Sequence, residues 1–511
     1  MLMPRLFVVF VFVSSLLAAP TLFAEEPPEA VDTESGEAIE DDAEKPTRES
    51  ERELLKTASS ITDTVSELRG LALKESIPKG VQDREELRDM LLERFHDEVP
   101  EEDFQAEARV YARMGLFDDD VDYRELMLDL LTEQIAGFYD QDAKELYIME
   151  GLPERVQKPA MAHEIFHAIQ DQHFDIGQLL APLSSQENAD FALARMALIE
   201  GDATVVMIDF VLAEQGILPQ NRIRSAVDIP ELAAILLEMD ATQLAAVEQL
   251  EIPDAMELGD DSVPSLTDSV LGTAPPIIRD TLLFPYVEGM RFVIRARSGR
   301  TWEAFDQIYD DPPISTSQIL HPERYFDEDA PVDISYSAQD ALSDHELIYE
   351  TVFGELQVRS WLDTHLAEVS GAPRSAEVAE GWDGDRIRGY AGPNDELIVT
   401  HMSSWRSIDE AQAFAEALSL SVGERHGAES IHREGTHGES WCIRPGSDPS
   451  GERIYIERWG DMVMYIEGAP SRLDDEGEEL DATVFDVRDA MWETHRRVPF
   501  EEVLEKRKAD Q

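Results

Sequence analysis

The spacing of apolar residues predicts two kinds of element in the first half of the chain. Apolar positions recur at helical spacing over residues 84–98 and 123–134. Residues 135–151 differ, because two short aromatic and β-branched runs flank the polar string DQDAK, a pattern typical of a β-hairpin. Pro159 then suits the first turn of a helix that carries the string HEIFH, and a second long helix is predicted over residues 188–214. This half is therefore predicted to be helical around one hairpin.

The pattern changes again in the second half of the chain. Further helices are predicted over residues 216–310. From residue 375 the order of patterns is strand, helix, strand, strand-turn-strand and helix, which is typical of a small α+β domain. We therefore expect an α+β protein with one domain over residues 61–370 and a C-terminal α+β domain over residues 375–511.

The first residues of the chain predict export. Residues 1–24 contain one Arg, then an apolar run, then small residues, which is the organisation of a secretory signal peptide cleaved after Ala24. An uncleaved anchor is the alternative, although the apolar run is short for a bilayer and acidic residues follow it. Residues 25–60 are rich in Glu, Asp and Pro and are expected to form a disordered acidic spacer. We expect a periplasmic or extracellular protein.

The charge of the chain restricts its partners. The sequence has 108 acidic and 43 basic residues, which gives a net charge of −65. Such a surface repels nucleic acid and anionic membranes and stays hydrated in high salt. We therefore expect no nucleic-acid partner and no stable membrane insertion after signal cleavage. A salt-adapted organism explains the charge, and a GC-rich genome that favours Arg, together with an acidic spacer, is the alternative.

The string HEIFH carries the candidate chemistry. On a helix, His163 and His167 lie four residues apart on one face, so both imidazoles can bind one zinc ion at about 2.0–2.1 Å. Glu164 lies beside the first of them and can take a proton from a zinc-bound water, whose pKa the metal lowers toward about 7. Because Cys442 is the only cysteine, an internal disulfide is excluded and the zinc ligands must be His and carboxylates.

Two residues compete for the place of the third ligand. His173 stands where the metzincin pattern HExxHxxGxxH has its last His, but Gln170 replaces the glycine that turns the chain there. If the helix continues, His173 lies about 15 Å along its axis from His163 and cannot reach the metal. Glu200 lies instead within the apolar run ALIEGDATVVM, where burying an unpaired carboxylate would be costly. We therefore favour Glu200 as the third ligand.

Two neighbours of Glu200 bear on this assignment. Gly201 lowers the stability of a helix, and we expect it to let this helix approach the helix of the histidines closely. An ion pair with Arg195 is the alternative reason for a buried carboxylate at position 200.

These strings resemble those of known proteins. HEIFH followed by EGDA on a later helix resembles the gluzincin zinc metallopeptidases. The strings AGFYDQDAKELY, HAIQDQHFD, PYVEGMRFV and PPISTSQILHPERY also resemble a set of uncharacterised exported bacterial HExxH proteins, over residues 61–340. The resemblance implies a zincin-like domain with a small sheet, helices and then a mainly helical lobe. It also implies that His163, His167 and Glu200 bind zinc and that Glu164 is the catalytic base.

The resemblance implies two further roles. Thermolysin-like enzymes have an Asp, one turn after the ligand Glu, that orients a ligand His. This chain has Thr204 there, so Asp202 or Asp190 is the candidate replacement. Zinc peptidases also place a Tyr or His donor near the substrate carbonyl, and Tyr286 and His321 are the candidates here.

The function expected from these observations is that of an exported zinc metallopeptidase. It would hold one zinc ion per chain and hydrolyse peptide or protein substrates through a zinc-bound water activated by Glu164. The alternatives are a non-catalytic secreted zinc-containing binding protein, and a metzincin-like peptidase with His173 as third ligand. A fourth protein ligand would favour the binding protein, because catalysis requires an open position on the metal.

Overall fold

The structure is a computed structural model, which describes residues 48–503 apart from several segments. These segments are residues 99, 119–120, 134–136, 181–187, 219–224, 246–268, 394, 436–437, 446–451, 471, 474–478, 481 and 501. The predicted signal peptide and most of the predicted acidic spacer lie outside the described residues. The part that is described mixes helices and strands, so the α+β class is confirmed.

The first part of the described chain combines helices with a small sheet. Its elements are α1 (Arg48–Arg69), β1 (Lys79–Gln82), α2 (Arg84–Glu98), α3 (Glu101–Arg113), α4 (Tyr123–Glu133), β2 (Gly137–Asp140), β3 (Glu145–Met149), α5 (Glu154–Phe174), α6 (Ile176–Leu180) and α7 (Ala189–Glu214). Strand β3 is central, parallel to β1 and antiparallel to β2, with Gly137 opposite Ile148. The predicted hairpin is therefore confirmed, and β2 is an edge strand of this sheet.

Two predicted boundaries in this part are wrong. Helix α5 begins at Glu154, so Pro159 lies within the helix and not in its first turn. Helix α1 begins inside the segment predicted as spacer, residues 25–60. Its residues Ala58, Ile61 and Val65 recur at helical spacing and are buried in the main core, so this end of the segment packs against the protein.

Helices continue through the middle of the described chain. They are α8 (Pro230–Glu238), α9 (Ala241–Ala245), α10 (Val270–Thr273), α11 (Pro276–Arg297), α12 (Trp302–Asp306), α13 (Thr316–Leu320) and α14 (Pro322–Phe326), with 3₁₀ turns at Ala226–Asp228 and Gln307–Tyr309. The predicted helical content of this region is confirmed where the structure describes it. No helix among the described residues is long and apolar enough to cross a bilayer.

A seven-stranded sheet dominates the last part. The elements of this part are β4 (Val332–Ser335), β5 (Glu346–Thr351), α15 (Gly354–Leu366), α16 (Ser375–Ala379), β6 (Trp382–Ala391), β7 (Leu397–Trp405), α17 (Ile408–His426), β8 (Ile431–Glu434), β9 (Gly438–Ile443), β10 (Glu452–Trp459), β11 (Met462–Pro470), β12 (Arg472–Leu473), β13 (Glu479–Leu480), α18 (Ala482–Thr494) and β14 (Arg496–Pro499). Strands β12 and β13, and strands β4 and β14, form two separate two-stranded sheets. The strand order of the seven-stranded sheet is β5-β6-β7-β11-β10-β9-β8, with antiparallel neighbours.

This sheet extends across the predicted domain boundary. Strand β5 pairs with β6 although it lies before residue 375, and β4 pairs with β14. The larger of two clusters of buried apolar residues in the described chain also runs from α1 to Phe500. The sequence ELIYET of β5 places Glu at the first and fifth positions of a short edge strand, so its apolar pattern is weak. The sheet therefore begins about 30 residues earlier than the predicted domain over residues 375–511.

Three long helices position the residues of interest. Helices α5 and α7 run antiparallel, as shown by Lys158 near the start of α5, which lies 3.6 Å from Glu214 at the end of α7. Helix α11 also packs against α7, at a point where a Cβ on Gly201 would lie 2.2 Å from the carbonyl carbon of Gly289. The expectation that Gly201 faces the helix of the histidines is therefore wrong. The glycine permits the close crossing of α7 and α11 instead.

Candidate metal centre

Helix α5 presents the two histidines of HEIFH on one face. Their spacing of four residues brings the rings of His163 and His167 to 4.6 Å between centroids, with an interplanar angle of 75°. Both residues are completely buried. The helix is buried along most of its length, and the histidines point toward α7 and not toward bulk solvent.

Helix α7 contributes the carboxylate. Oε2 of Glu200 lies 3.0 Å from Nε2 of His163 and 3.5 Å from Nε2 of His167. Two ligand atoms bound to one tetrahedral zinc ion at about 2.05 Å lie about 3.3 Å apart, so these separations are close to those of a zinc site. The structure therefore brings together the three residues predicted as ligands, with their ligand atoms within 4.8 Å of one another.

The alternative partner of Glu200 lies elsewhere. The guanidinium of Arg195 stacks over the ring of Phe191 at 4.4 Å and donates to the carbonyl of Leu179 at 3.5 Å. Burial lowers the pKa of Arg195 to about 10. The predicted alternative, an Arg195–Glu200 ion pair, is therefore wrong, and the buried carboxylate faces two imidazoles.

The electrostatics of the metal-free cluster favour one positive charge, which is a proton on His167. Burial opposes charge on every group in the cluster, yet the attraction of Glu200 raises the pKa of His167 to about 9. The same attraction, against the effect of burial, lowers the pKa of Glu200. Burial, together with the neighbouring His167, lowers the pKa of His163 despite its hydrogen bond to Glu200. Without a metal, the proton on His167 neutralises the carboxylate, and a bound cation would take the place of that proton.

The donor set fits a zinc ion. Among the described residues, Oε1 of Glu200 and Nδ1 of His163 are buried polar atoms with no hydrogen-bond partner. A buried carboxylate oxygen without a partner costs about 1–3 kcal/mol, which coordination to a cation would relieve. Two imidazoles and one carboxylate are ligands that zinc uses in catalytic sites. His163, His167 and Glu200 are therefore the residues that could hold the metal.

Glu164 lies beside this cluster and is fixed by the small sheet. Its Oε2 accepts a hydrogen bond of 2.9 Å from the backbone amide of Tyr139 in β2, and its side chain is 1 % exposed. The residue is not one of the three clustered ligands. The hairpin predicted from sequence therefore orients the carboxylate predicted as the catalytic base.

Tyr286, a candidate donor to the substrate carbonyl, lies close to the cluster. It comes from α11, and its ring centroid is 6.2 Å from that of His163. Burial, with the nearby carboxylates of Glu200 and Glu164, raises the pKa of its phenol well above 10. The hydroxyl therefore stays protonated at neutral pH and can act as a hydrogen-bond donor.

His321 lies at a different place, so its assignment as the substrate-carbonyl donor is wrong. Its Nε2 is 2.7 Å from Glu355 of α15, whose second oxygen accepts from Arg324 at 3.0 Å. The preceding helix, α13, meets α7 at Asp190, where the backbone amide of Thr316 donates to the carboxylate. Asp190 is ten residues before Glu200, about 15 Å along the helix. His321 therefore connects the junction of α13 and α14 to α15.

His173 also lies away from the cluster. Helix α5 continues to Phe174, and Asp175 ends it in the left-handed conformation with φ of 51°. Nε2 of His173 lies 2.7 Å from the carbonyl oxygen of Ala72. Because the helix does not turn at Gln170, the ring cannot reach the metal ligands, which contradicts the metzincin-like alternative.

The residue that orients His167 was missed from sequence. Nδ1 of His167 is 2.8 Å from Oε1 of Gln170, one turn further along α5. The candidates for that role are bound elsewhere, because Asp190 accepts from Thr316 and Asp202 accepts from Arg69. Spacing could have indicated Gln170, since residues three apart on a helix are neighbours. In the sequence, Gln170 was interpreted only as the residue that replaces the glycine of the metzincin pattern.

Comparison with known proteins assigns no activity to this centre. A family model described as a domain of unknown function (DUF8575) matches residues 345–480, which include the seven-stranded sheet. That segment contains none of His163, His167 and Glu200. No curated protein and no solved structure matches the chain.

Proposed function

We propose that this protein is an exported zinc metallopeptidase of the gluzincin type, with a zincin-like domain around α5 and α7. The observation that supports this most directly is the cluster of His163, His167 and Glu200, whose ligand atoms lie within 4.8 Å of one another. Glu164 lies on α5 with the two histidines. Three such ligands leave one tetrahedral position for water or substrate. Among the described residues, no fourth His, Cys, Asp or Glu joins the group.

The residues around the proposed zinc have separate tasks. A zinc ion supplies Lewis acidity, which acidifies water and polarises a substrate carbonyl. Glu164 takes the proton of the attacking water and returns it to the leaving amine, while the amide of Tyr139 keeps its carboxylate in place. Tyr286 stays protonated and donates to the carbonyl oxygen as negative charge develops there. Strand β2 lies at the edge of its sheet and is proposed to pair with an extended peptide substrate through backbone groups other than the amide of Tyr139.

The variant Glu164→Gln tests this proposal. It keeps the size of the side chain and removes the base, so zinc content and Tm should stay near those of wild type. Hydrolysis of unfolded proteins or a peptide library should fall by about 10²–10⁴-fold. Tyr286→Phe should also keep zinc and lose about 10²–10³-fold in kcat, the effect expected for a lost donor to the developing oxyanion.

One observation favours the alternative of a non-catalytic secreted zinc-containing binding protein. Glu164 and Tyr286 are 1 % and 3 % exposed, whereas a catalytic site must admit water and substrate. If wild type and Glu164→Gln both bind one zinc ion per chain and are equally inactive on every peptide, the peptidase proposal is wrong and the site is structural or acts on something other than peptides. If wild type hydrolyses peptides and Glu164→Gln does not, the alternative is excluded.

A further inference from the structure

A buried chain of hydrogen bonds leads from the proposed metal centre to the first described helix. Oε1 of Gln170 is 2.8 Å from Nδ1 of His167, and its Nε2 is 3.0 Å from the carbonyl oxygen of Ile199 and 2.9 Å from the hydroxyl of Tyr309. Gln170 is completely buried, and Ile199 directly precedes the ligand Glu200. The amide of Gln170 therefore touches both helices that carry the ligands.

The partners of Gln170 determine which way its amide faces. A backbone carbonyl can only accept, so the atom facing Ile199 must be the amide nitrogen and the atom facing His167 must be the oxygen. The oxygen can only accept, so Nδ1 of His167 carries a hydrogen and donates it. In the neutral imidazole this leaves the lone pair on Nε2, which lies 3.5 Å from Oε2 of Glu200. Gln170 thus selects the tautomer of His167 that can bind a metal through Nε2.

The same reasoning fixes the next links. The hydroxyl of Tyr309 donates to Oδ2 of Asp202 at 2.8 Å, which leaves its oxygen to accept from Gln170. Asp202 receives a bidentate pair from Arg69, with Nε to Oδ1 at 2.9 Å and a second nitrogen to Oδ2 at 3.1 Å. The ring of Phe174 stacks on that of Tyr309 at 3.9 Å and 6°. Each side chain in the series therefore has one permitted orientation.

Arg69 anchors the far end of the series. It is the last residue of α1, is completely buried, and also pairs with Asp306 at 2.6 Å. Its guanidinium lies 4.0 Å from the ring centroid of Trp302. A guanidinium held by two carboxylates and an aromatic ring is a rigid support for the carboxylate that orients Tyr309.

We propose that Gln170 is a positioning residue for the metal centre, held in place by Tyr309, Asp202 and Arg69. It fixes His167 in the tautomer and orientation that metal binding requires, and α1 supports the site through Arg69. This inference rests on the proposed metal centre but not on peptidase activity. Residues that orient a metal-bound His typically change metal affinity about 10–100-fold when they are removed.

Gln170→Leu is the direct test, with Gln178→Leu as the matched control at an exposed position of α6. Zinc affinity is measured by competition with a chromophoric chelator on the full chain, and the absorption spectrum of the Co²⁺-substituted protein reports ligand geometry. We expect zinc affinity to fall by about 10–100-fold and the Co²⁺ spectrum to change for Gln170→Leu, and neither to change for Gln178→Leu.

Tyr309→Phe keeps the test decisive if Gln170→Leu does not fold. It removes a single hydroxyl, leaves the ring stacked on Phe174, and is expected to lower zinc affinity by about 10-fold. Wild-type zinc affinity and an unchanged Co²⁺ spectrum in both folded variants would overturn the inference while leaving the metal centre intact. Failure of wild type to bind zinc would instead refute the metal centre itself. Zinc binding without hydrolysis would refute the peptidase and leave the role of Gln170 standing.

Discussion

The crossing of α7 and α11 allows a sharp test of how the centre is built. At Gly201 the backbones are so close that an added Cβ would lie 2.2 Å from the carbonyl carbon and 2.3 Å from the carbonyl oxygen of Gly289. Gly289 is equally close to α7, since its own Cβ would lie 2.2 Å from the carbonyl oxygen of Ala197. We therefore consider the substitution Gly201→Ala, which adds one methyl group at this crossing.

Two effects of opposite sign determine the outcome. Alanine is favoured over glycine within a helix by about 1 kcal/mol. Ordinary contact begins near 3.4 Å, so the two backbones must separate by about 1.2 Å to admit the methyl group. Overpacking costs about 1–3 kcal/mol, and the upper value applies because backbone atoms cannot rotate away. We expect a net loss of about 2 kcal/mol. Because α7 carries Glu200 and α11 carries Tyr286, the proposed hydrolytic activity should fall as well.

Thermal unfolding of the full chain measures this effect, with Gly177→Ala as the control. A Cβ at Gly177 would lie 3.8 Å from its nearest neighbour, so this second Gly→Ala change in a helix meets no obstacle. We expect Gly201→Ala to lower Tm by about 2 °C and Gly177→Ala to leave it unchanged or raise it. A Tm for Gly201→Ala at or above that of wild type would refute the close crossing.

Three further predictions follow from the structure. Alanine at any one of the three proposed ligand positions should abolish the binding of one zinc ion per chain, whereas His173→Ala should retain it, as measured by metal analysis after dialysis. With a net charge of −65, Tm should rise between dilute buffer and about 0.1–1 M NaCl, and a flat or falling curve would contradict self-repulsion at low salt. Burial raises the pKa of Asp190 to about 8, with added repulsion from Asp385 and Glu355. Between about pH 4 and 8 the folded protein therefore holds a proton on Asp190 that the unfolded chain has already released, so stability falls as pH rises through that window. Asp190→Asn should flatten the dependence of Tm on pH.

The ligand cluster could be predicted from the sequence because most of it is local. Helical spacing alone places His163 and His167 on one face and Glu164 beside them. The cost of burying a carboxylate pointed to Glu200 on a different helix, and the predicted grouping of these side chains is confirmed by the structure. The metal itself stays a prediction. A short periodic pattern is sufficient to predict these residues because each prediction depends on the pattern within a single helix.

The supports of the centre could not be predicted, because they depend on contacts between distant residues. Tyr309 lies 139 residues after Gln170, and Arg69 lies 133 residues before Asp202, so no local pattern connects them. The error at His321 has the same origin. Its string ILHPERY suggested a functional histidine, but its partner Glu355 lies 34 residues further on, on α15.

The charge of the chain gives a separate reason to place a cation at Glu200. Acidic residues outnumber basic ones 108 to 43, so cations are shared: Arg69 pairs with both Asp202 and Asp306. Arg195, the arginine closest to Glu200 in the sequence, stacks over the ring of Phe191 instead. In the metal-free cluster, a proton on His167 therefore balances the negative charge of Glu200. In surroundings that exclude water, a divalent cation would stabilise that carboxylate more strongly than this proton does. In a chain this acidic, a buried carboxylate between two imidazoles therefore supports the proposal that a metal ion binds here.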